Sequence, residues 1–178
     1  EPDLAKILLS KCSEFILKYI RSLKETGVDG IIMAEPAAGL LSNDDATIFS
    51  TNYIKPIVET VQNENFLFVL HNCGNTGHCT QSMIDSGARA LHFGNQCDIV
   101  SALQQVPSDR IVMGNLDPVG IFKSSSPKQV YDETERLLHV TTDFDNFIIS
   151  TGCDVPPGVS LENINAFYRA VEIFRNRH

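Results

Sequence analysis

Apolar residues recur along this chain in two alternating patterns, one at helical spacing and one in short continuous runs. Between residues 4 and 25 they fall at positions 8, 12, 15, 16, 19 and 23, and Gly27 then ends the pattern. The short runs lie in the segments GVDGIIMAEP, FLFVLHNC, ARALHF, RIVMGNL and NFIISTGC, and a helical pattern follows each of them. Continuous apolar runs without polar alternation are typical of strands that are covered on both faces.

The alternation predicts five parallel strands and six helices. Helices are expected over residues 4–25, 45–62, 77–86, 97–105, 127–142 and 160–175, the second interrupted near Pro56. Strands that alternate with helices form parallel sheets joined by right-handed crossovers. The predicted fold class is therefore α/β, with a sheet that is either open or closed into a barrel. Because no repeat or linker breaks the pattern, residues 1–178 are predicted to form a single domain.

Composition and charge narrow the possible functions. A net charge of −8 without any basic cluster argues against nucleic acid as a partner. No apolar run approaches the ~20 residues that a membrane helix needs. The five cysteines are odd in number and no secretory signal is recognisable, which predicts a cytoplasmic protein with cysteines in buried, metal-binding or nucleophilic roles. The chain starts without methionine and almost directly in a helical pattern, which we interpret as a piece of a longer protein.

Chemically capable residues follow every predicted strand. Because the carboxyl ends of parallel strands converge on one face, we expect these side chains to share a site. In chain order they are Glu35, His71, Cys73, His92, Asn115, Asp117, Cys153 and Asp154. From this set we predict catalytic roles for Glu35, His92, Asn115 and Asp117.

Three of these residues have the spacing of a metal site. His71 and Cys73 are two positions apart at a strand end, so both can turn toward one point that Cys153 reaches from another strand. One imidazole and two thiolates suit zinc, and a catalytic zinc site keeps its fourth position for water or substrate. Glu35 is either an exchangeable fourth ligand, a charge near the metal, or a carboxylate paired with a surface base. The pattern is equally compatible with two cysteines packed in the core and a hydrogen-bonded histidine.

Three segments resemble the C-terminal half of the uroporphyrinogen decarboxylase superfamily. They are HNCGNT at 71–76, GNLDP at 114–118 and STGCDVPPGVSLENINAF at 150–167, and the resemblance extends over essentially the whole chain. The fold it implies is a (β/α)8 TIM-type barrel, of which this chain supplies the C-terminal portion of about five β/α units. In the corrinoid-linked methyltransferases of the superfamily, the pattern formed here by His71, Cys73 and Cys153 binds zinc. The decarboxylases proper lack it.

The resemblance thus implies zinc-dependent methyl transfer from methylcobalamin, carried by a partner corrinoid protein, to a small thiol such as coenzyme M. Zinc is then the bound cofactor and methylcobalamin the methyl donor. Two alternatives stay open, a uroporphyrinogen decarboxylase and a non-catalytic corrinoid-binding subunit. Since five strands cannot close a barrel of eight, we also expect exposed edges, so that the chain either associates with a second copy or with the missing N-terminal half, or opens into a flatter sheet covered on both faces.

Overall fold

The computed structural model describes residues 1–74 and 77–177, and its five strands lie in one parallel sheet. Each strand pairs with the next one along the chain. The bounds are Gly30–Ala34 for β1, Leu67–Asn72 for β2, Ala90–Phe93 for β3, Ile111–Leu116 for β4 and Phe147–Thr151 for β5. The predicted α/β class and all five predicted strands are confirmed.

Helices precede the first strand and follow every strand in the part of the chain that the structure describes. They are α1 Pro2–Glu25, α2 Asn43–Ala46, α3 Asn52–Val61, α4 Thr80–Asp85, α5 Ile99–Gln105, α6 Pro127–Val140 and α7 Leu161–Arg177. Local sequence explains where α5 and α6 begin. The Asp98 carboxylate accepts hydrogen bonds from the amides of Val100 and Ser101, and Ser126 forms a capping box with Gln129. None of the described helices has the length and apolarity needed to span a membrane.

The predicted interruption at Pro56 is wrong. Pro56 lies inside α3, and the irregularity falls one turn earlier, in the π-helical segment Thr47–Thr51. A wide turn upstream of a proline is a common way to accommodate its ring and its missing donor. A second π-helical segment, Pro118–Lys123, was not predicted, although Asp117 before Pro118 is a recognisable helix start.

Helices cover only one face of the sheet. Because sequential strands are neighbours and crossovers share one hand, every connecting helix lies on the same side. That side holds the core, where Phe68, Leu70, Leu91, Phe93 and Val112 are at most 1% exposed and Ile31, Met33 and Ile149 pack against them. On the opposite face, Ile32 is 63% and Ile148 is 47% exposed. Val69, which pairs with Ile32, lies on this uncovered face. His71, two residues after Val69 in β2, lies on the same face.

Candidate metal centre

His71, Cys73 and Cys153 meet at the carboxyl ends of β2 and β5. Their ligand atoms all lie within 4.8 Å of one another. Nε2 of His71 is 2.8 Å from Sγ of Cys73, which is 3.5 Å from Sγ of Cys153. His71 is 6% exposed and the two cysteines are half-buried, so the group opens toward solvent on its sulfur side.

Two glycines allow the backbones that carry the cysteines to approach their neighbours. A methyl group at Gly94 would lie 2.6 Å from the amide nitrogen of Gly74 and 3.1 Å from the carbonyl carbon of Cys73. A methyl group at Gly152 would lie 2.4 Å from the amide nitrogen of Asn95. The contacts of 2.6 and 2.4 Å with the two amide nitrogens are shorter than any tolerable contact, so only glycine permits this packing. The loop after β3 therefore presses on the segments that bring Cys73 and Cys153 together.

We predict that Gly152→Ala weakens zinc binding roughly tenfold, in the range of changes made just outside a ligand set. The added methyl must displace either Cys153 or the Asn95 backbone. Gly27→Ala is the matched control, because Gly27 has a φ of 88° and no atom within 4 Å of the new methyl. It should lower the free energy of unfolding by about 1 kcal/mol without changing zinc affinity. Competition against a chelating dye measures the affinity, and equal binding by wild type and Gly152→Ala would contradict the packing argument.

The thiols are suited to a cation. The pKa of Cys73 is raised to about 11, chiefly by burial and in the same direction by the adjacent thiol of Cys153 and the carboxylate of Asp154. Two thiolates side by side therefore need positive charge between them. A soft divalent metal supplies that charge, and one nitrogen with two sulfurs is a zinc-type donor set. The three residues fit the metal that the sequence predicts.

A histidine pair extends behind the cluster on the uncovered face. Nδ1 of His92 is 2.6 Å from Nδ1 of His71, and Nε2 of His92 is 2.9 Å from Oγ of Ser150. Burial lowers the pKa of both imidazoles, that of His92 to about 4 with help from the neighbouring His71. Both rings are consequently neutral at neutral pH. Ser150 was not singled out from the sequence; its position two residues after Ile148 on the uncovered face was the available signal.

Glu35 lies beside the cluster rather than in it. Its amide donates to the carbonyl of His71, which continues the pairing of β1 with β2 by one residue. Its carboxylate accepts a hydrogen bond of 2.7 Å from Oγ of Ser50 in the π-helical segment. Burial raises the pKa of Glu35, and the Ser50 hydrogen bond only partly opposes this effect. A half-buried carboxyl group of this kind ionises less readily than an exposed one.

Asn115 and Asp117 both make hydrogen bonds to the backbone. The Asn115 amide donates to the carbonyls of Gly94 and Cys97, at 3.1 and 2.7 Å. The Asp117 carboxylate accepts from the amides of Val119 and Gly120, both at 2.8 Å. Both residues line a cavity of about 410 Å³ whose described lining includes none of the three metal candidates. These contacts do not test their predicted catalytic roles, which stay predictions.

Comparison with known proteins gives a match over nearly the whole chain. The family described as uroporphyrinogen decarboxylase (URO-D) matches residues 1–174. A methylcobamide:CoM methyltransferase MtbA of Methanosarcina acetivorans is 28% identical over 98% of this chain and 50% of its own length. A uroporphyrinogen decarboxylase of Chloroherpeton thalassium is 30% identical over 93% of this chain and 47% of its own length. The chain thus spans about half the length of the curated relatives it matches.

A solved structure has the same architecture. A methyltransferase from Methanosarcina mazei superposes with a TM-score of 0.81 at 23% identity, over 92% of this chain and 47% of that one. At this identity the likeness establishes the fold. Together with the sequential parallel sheet and its one-sided helix layer, it confirms the prediction of a partial TIM-type barrel.

Proposed function

Because this chain belongs to the uroporphyrinogen decarboxylase family, we propose that it serves zinc-dependent methyl transfer from a methylated corrinoid to a thiol. One observation carries the proposal, the convergence of a histidine nitrogen and two cysteine sulfurs within 4.8 Å at the carboxyl ends of two strands. Carboxyl ends of barrel strands are where the active sites of this architecture lie. A decarboxylase acting on a porphyrinogen has no use for such a donor set.

The donor set suits activation of a thiol. Held by His71, Cys73 and Cys153, zinc would lower the pKa of an acceptor thiol so that it is present as a thiolate at neutral pH. Three protein donors leave one tetrahedral position for that thiol. The half-buried cysteines leave the opening toward solvent through which a small molecule can enter.

Glu35 has a place in the same proposal. Its backbone adjoins that of His71, and its carboxyl group is held by Ser50. We propose that the Glu35 carboxyl group lies near the metal and that substrate can displace this carboxyl group. Glu35→Gln would then leave zinc affinity within about twofold, whereas the ligand substitutions would not.

The named relatives support a proposal for the methyl donor and acceptor. Two methylcobamide:CoM methyltransferases and a methylated-thiol–coenzyme M methyltransferase, all from Methanosarcina, match more than 95% of this chain. A corrinoid protein that presents methylcobalamin and a small thiol such as coenzyme M are therefore the proposed partners. The reaction breaks the cobalt–carbon bond, leaves both of its electrons on cob(I)alamin, and forms a thioether with release of the thiol proton.

Decarboxylation of uroporphyrinogen is the second candidate, since relatives named for it are 25 to 30% identical to this chain. The two functions make opposite demands on the protein. Methyl transfer requires zinc and a thiol, and decarboxylation requires neither. A non-catalytic corrinoid-binding subunit would bind methylcobalamin without turnover.

Purified protein, prepared without chelator, tests the proposal. We expect about one zinc per chain by mass spectrometry and a thiol-dependent loss of the methylcobalamin absorbance when coenzyme M is added. Both should disappear in Cys153→Ser. Failure to take up zinc, combined with release of carbon dioxide from uroporphyrinogen, would replace methyl transfer by the decarboxylase function.

A further inference from the structure

On the side of its ring that faces away from the cysteines, His71 begins a series of hydrogen-bonded groups that ends at a backbone carbonyl. Nδ1 of His71 contacts Nδ1 of His92 at 2.6 Å, Nε2 of His92 contacts Oγ of Ser150 at 2.9 Å, and that hydroxyl donates to the carbonyl of Thr151 at 3.1 Å. Nε2 of His71 faces the other way, 2.8 Å from Sγ of Cys73. The positions of the hydrogens in this series decide whether Nε2 of His71 presents a lone pair or a hydrogen to the metal position.

The carbonyl of Thr151 determines which group donates in each of these hydrogen bonds, because a carbonyl oxygen can only accept. The single hydroxyl hydrogen of Ser150 is used in that bond, so Oγ must accept from Nε2–H of His92. A neutral imidazole has one N–H, which leaves Nδ1 of His92 as an acceptor. Nδ1 of His71 must then carry the hydrogen that joins the two rings.

A second carbonyl requires the same arrangement independently. The backbone oxygen of His92 lies 3.2 Å from Nδ1 of His71 and, like that of Thr151, can only accept. Both contacts of Nδ1 thus require His71 to be the Nδ1–H tautomer. Its Nε2 then carries a lone pair directed at the cysteines, which is the form a metal ligand needs.

We propose that His92 and Ser150 are positioning residues that hold His71 as the Nδ1–H tautomer with its ring turned toward the metal position. This inference rests on the proposed metal site but extends it to two residues that donate no ligand. Hydrogen bonding of the second nitrogen of a ligand histidine fixes its orientation and raises its basicity. His92 therefore acts through His71 rather than on a substrate.

The tautomer can be read without metal. In metal-free protein labelled with ¹⁵N at histidine, long-range ¹H–¹⁵N correlation should show His71 protonated at Nδ1 and His92 at Nε2. The reversed pattern, with hydrogens on Nε2 of His71 and Nδ1 of His92, would overturn the proposal. Because no metal is present, this result does not depend on whether the protein binds zinc.

Metal affinity provides the second readout. We expect His92→Ala to weaken Co²⁺ and Zn²⁺ binding about 10- to 100-fold and to alter the visible spectrum of bound Co²⁺. His92→Asn should recover most of the affinity, because its amide oxygen can accept from Nδ1–H of His71. Ser150→Ala should also weaken binding, by a smaller factor. His139→Ala, the same change on the exposed side of α6 beside Phe174, is the control and should bind like wild type.

The outcomes separate this inference from the proposed function. Wild-type protein that binds no metal would remove the methyltransferase proposal and leave the tautomer assignment to the NMR result. Wild-type protein that binds metal, with His92→Ala folded by circular dichroism and within twofold of its affinity, would refute the positioning role. If His92→Ala does not fold, Ser150→Ala takes its place, and unchanged affinity in that variant would refute the role equally.

Discussion

Zinc affinity is expected to fall by roughly two orders of magnitude when Cys73 or Cys153 is replaced by serine. Binding of about 10–16 kcal/mol, shared among three or four donors, corresponds to about 3 kcal/mol and roughly 100-fold per ligand. A serine hydroxyl keeps the size of the thiol but does not become an anion at neutral pH. Titration of metal-free variants in competition with a chromophoric chelator measures the loss.

Two other cysteines serve as matched controls for this experiment. Cys12 is exposed on α1. Cys97 is 5% exposed, and burial together with the nearby Asp98 raises its pKa to about 11. Cys12→Ser and Cys97→Ser should bind zinc with wild-type affinity. A comparable loss in Cys97→Ser would point to general destabilisation, and wild-type affinity in Cys73→Ser would remove that residue from the ligand set.

Phe68→Ala is expected to lower the free energy of unfolding by about 3–5 kcal/mol, the usual range for emptying a phenylalanine site in a core. Phe68 is fully buried near the start of β2, on the face that the helices cover. The lost burial and the remaining cavity both contribute to the cost. Urea denaturation at fixed protein concentration gives the value.

Ile32→Ala is the partner experiment, since Ile32 lies on the other face of the same sheet and is 63% exposed. Removing a side chain that water already contacts should cost less than about 1 kcal/mol. A cost similar to that of Phe68→Ala would mean that the uncovered face is buried in solution. Light scattering would then identify a second copy of the chain as the cover, which is the association expected from an incomplete barrel.

The three candidate metal ligands show which part of the site could be predicted from the sequence. His71, Cys73 and Cys153 were chosen because each follows a strand, and the structure brings their ligand atoms within 4.8 Å. The same rule selected Asn115 and Asp117, whose side chains hydrogen-bond instead to backbone groups, Asn115 to carbonyls after β3 and Asp117 to the amides that follow it. A strand-end position determines which edge of the sheet a residue occupies, but it does not determine the direction of the side chain.

His92 illustrates a different limit. The sequence predicted a catalytic group at this strand, and the structure places its ring behind His71, between that ligand and Ser150. This placement follows from the register of three strands, in which His71 stands opposite His92 and β5 brings Ser150 close. Register depends on packing between distant segments, so the contact between His92 and Ser150 was not readable from local sequence.

By itself, the sequence determined the α/β class, the number and order of strands, and the three residues that are candidates to hold a metal. These features depend on patterns of a few residues, on apolar runs and on the rule that parallel strand ends converge. Only the tertiary structure decided that the irregular turn precedes Pro56, that Glu35 binds Ser50, and that glycines at 94 and 152 admit neighbouring backbones. The Glu35–Ser50 hydrogen bond and the glycine contacts join segments that are not neighbours in the chain, which no local pattern encodes.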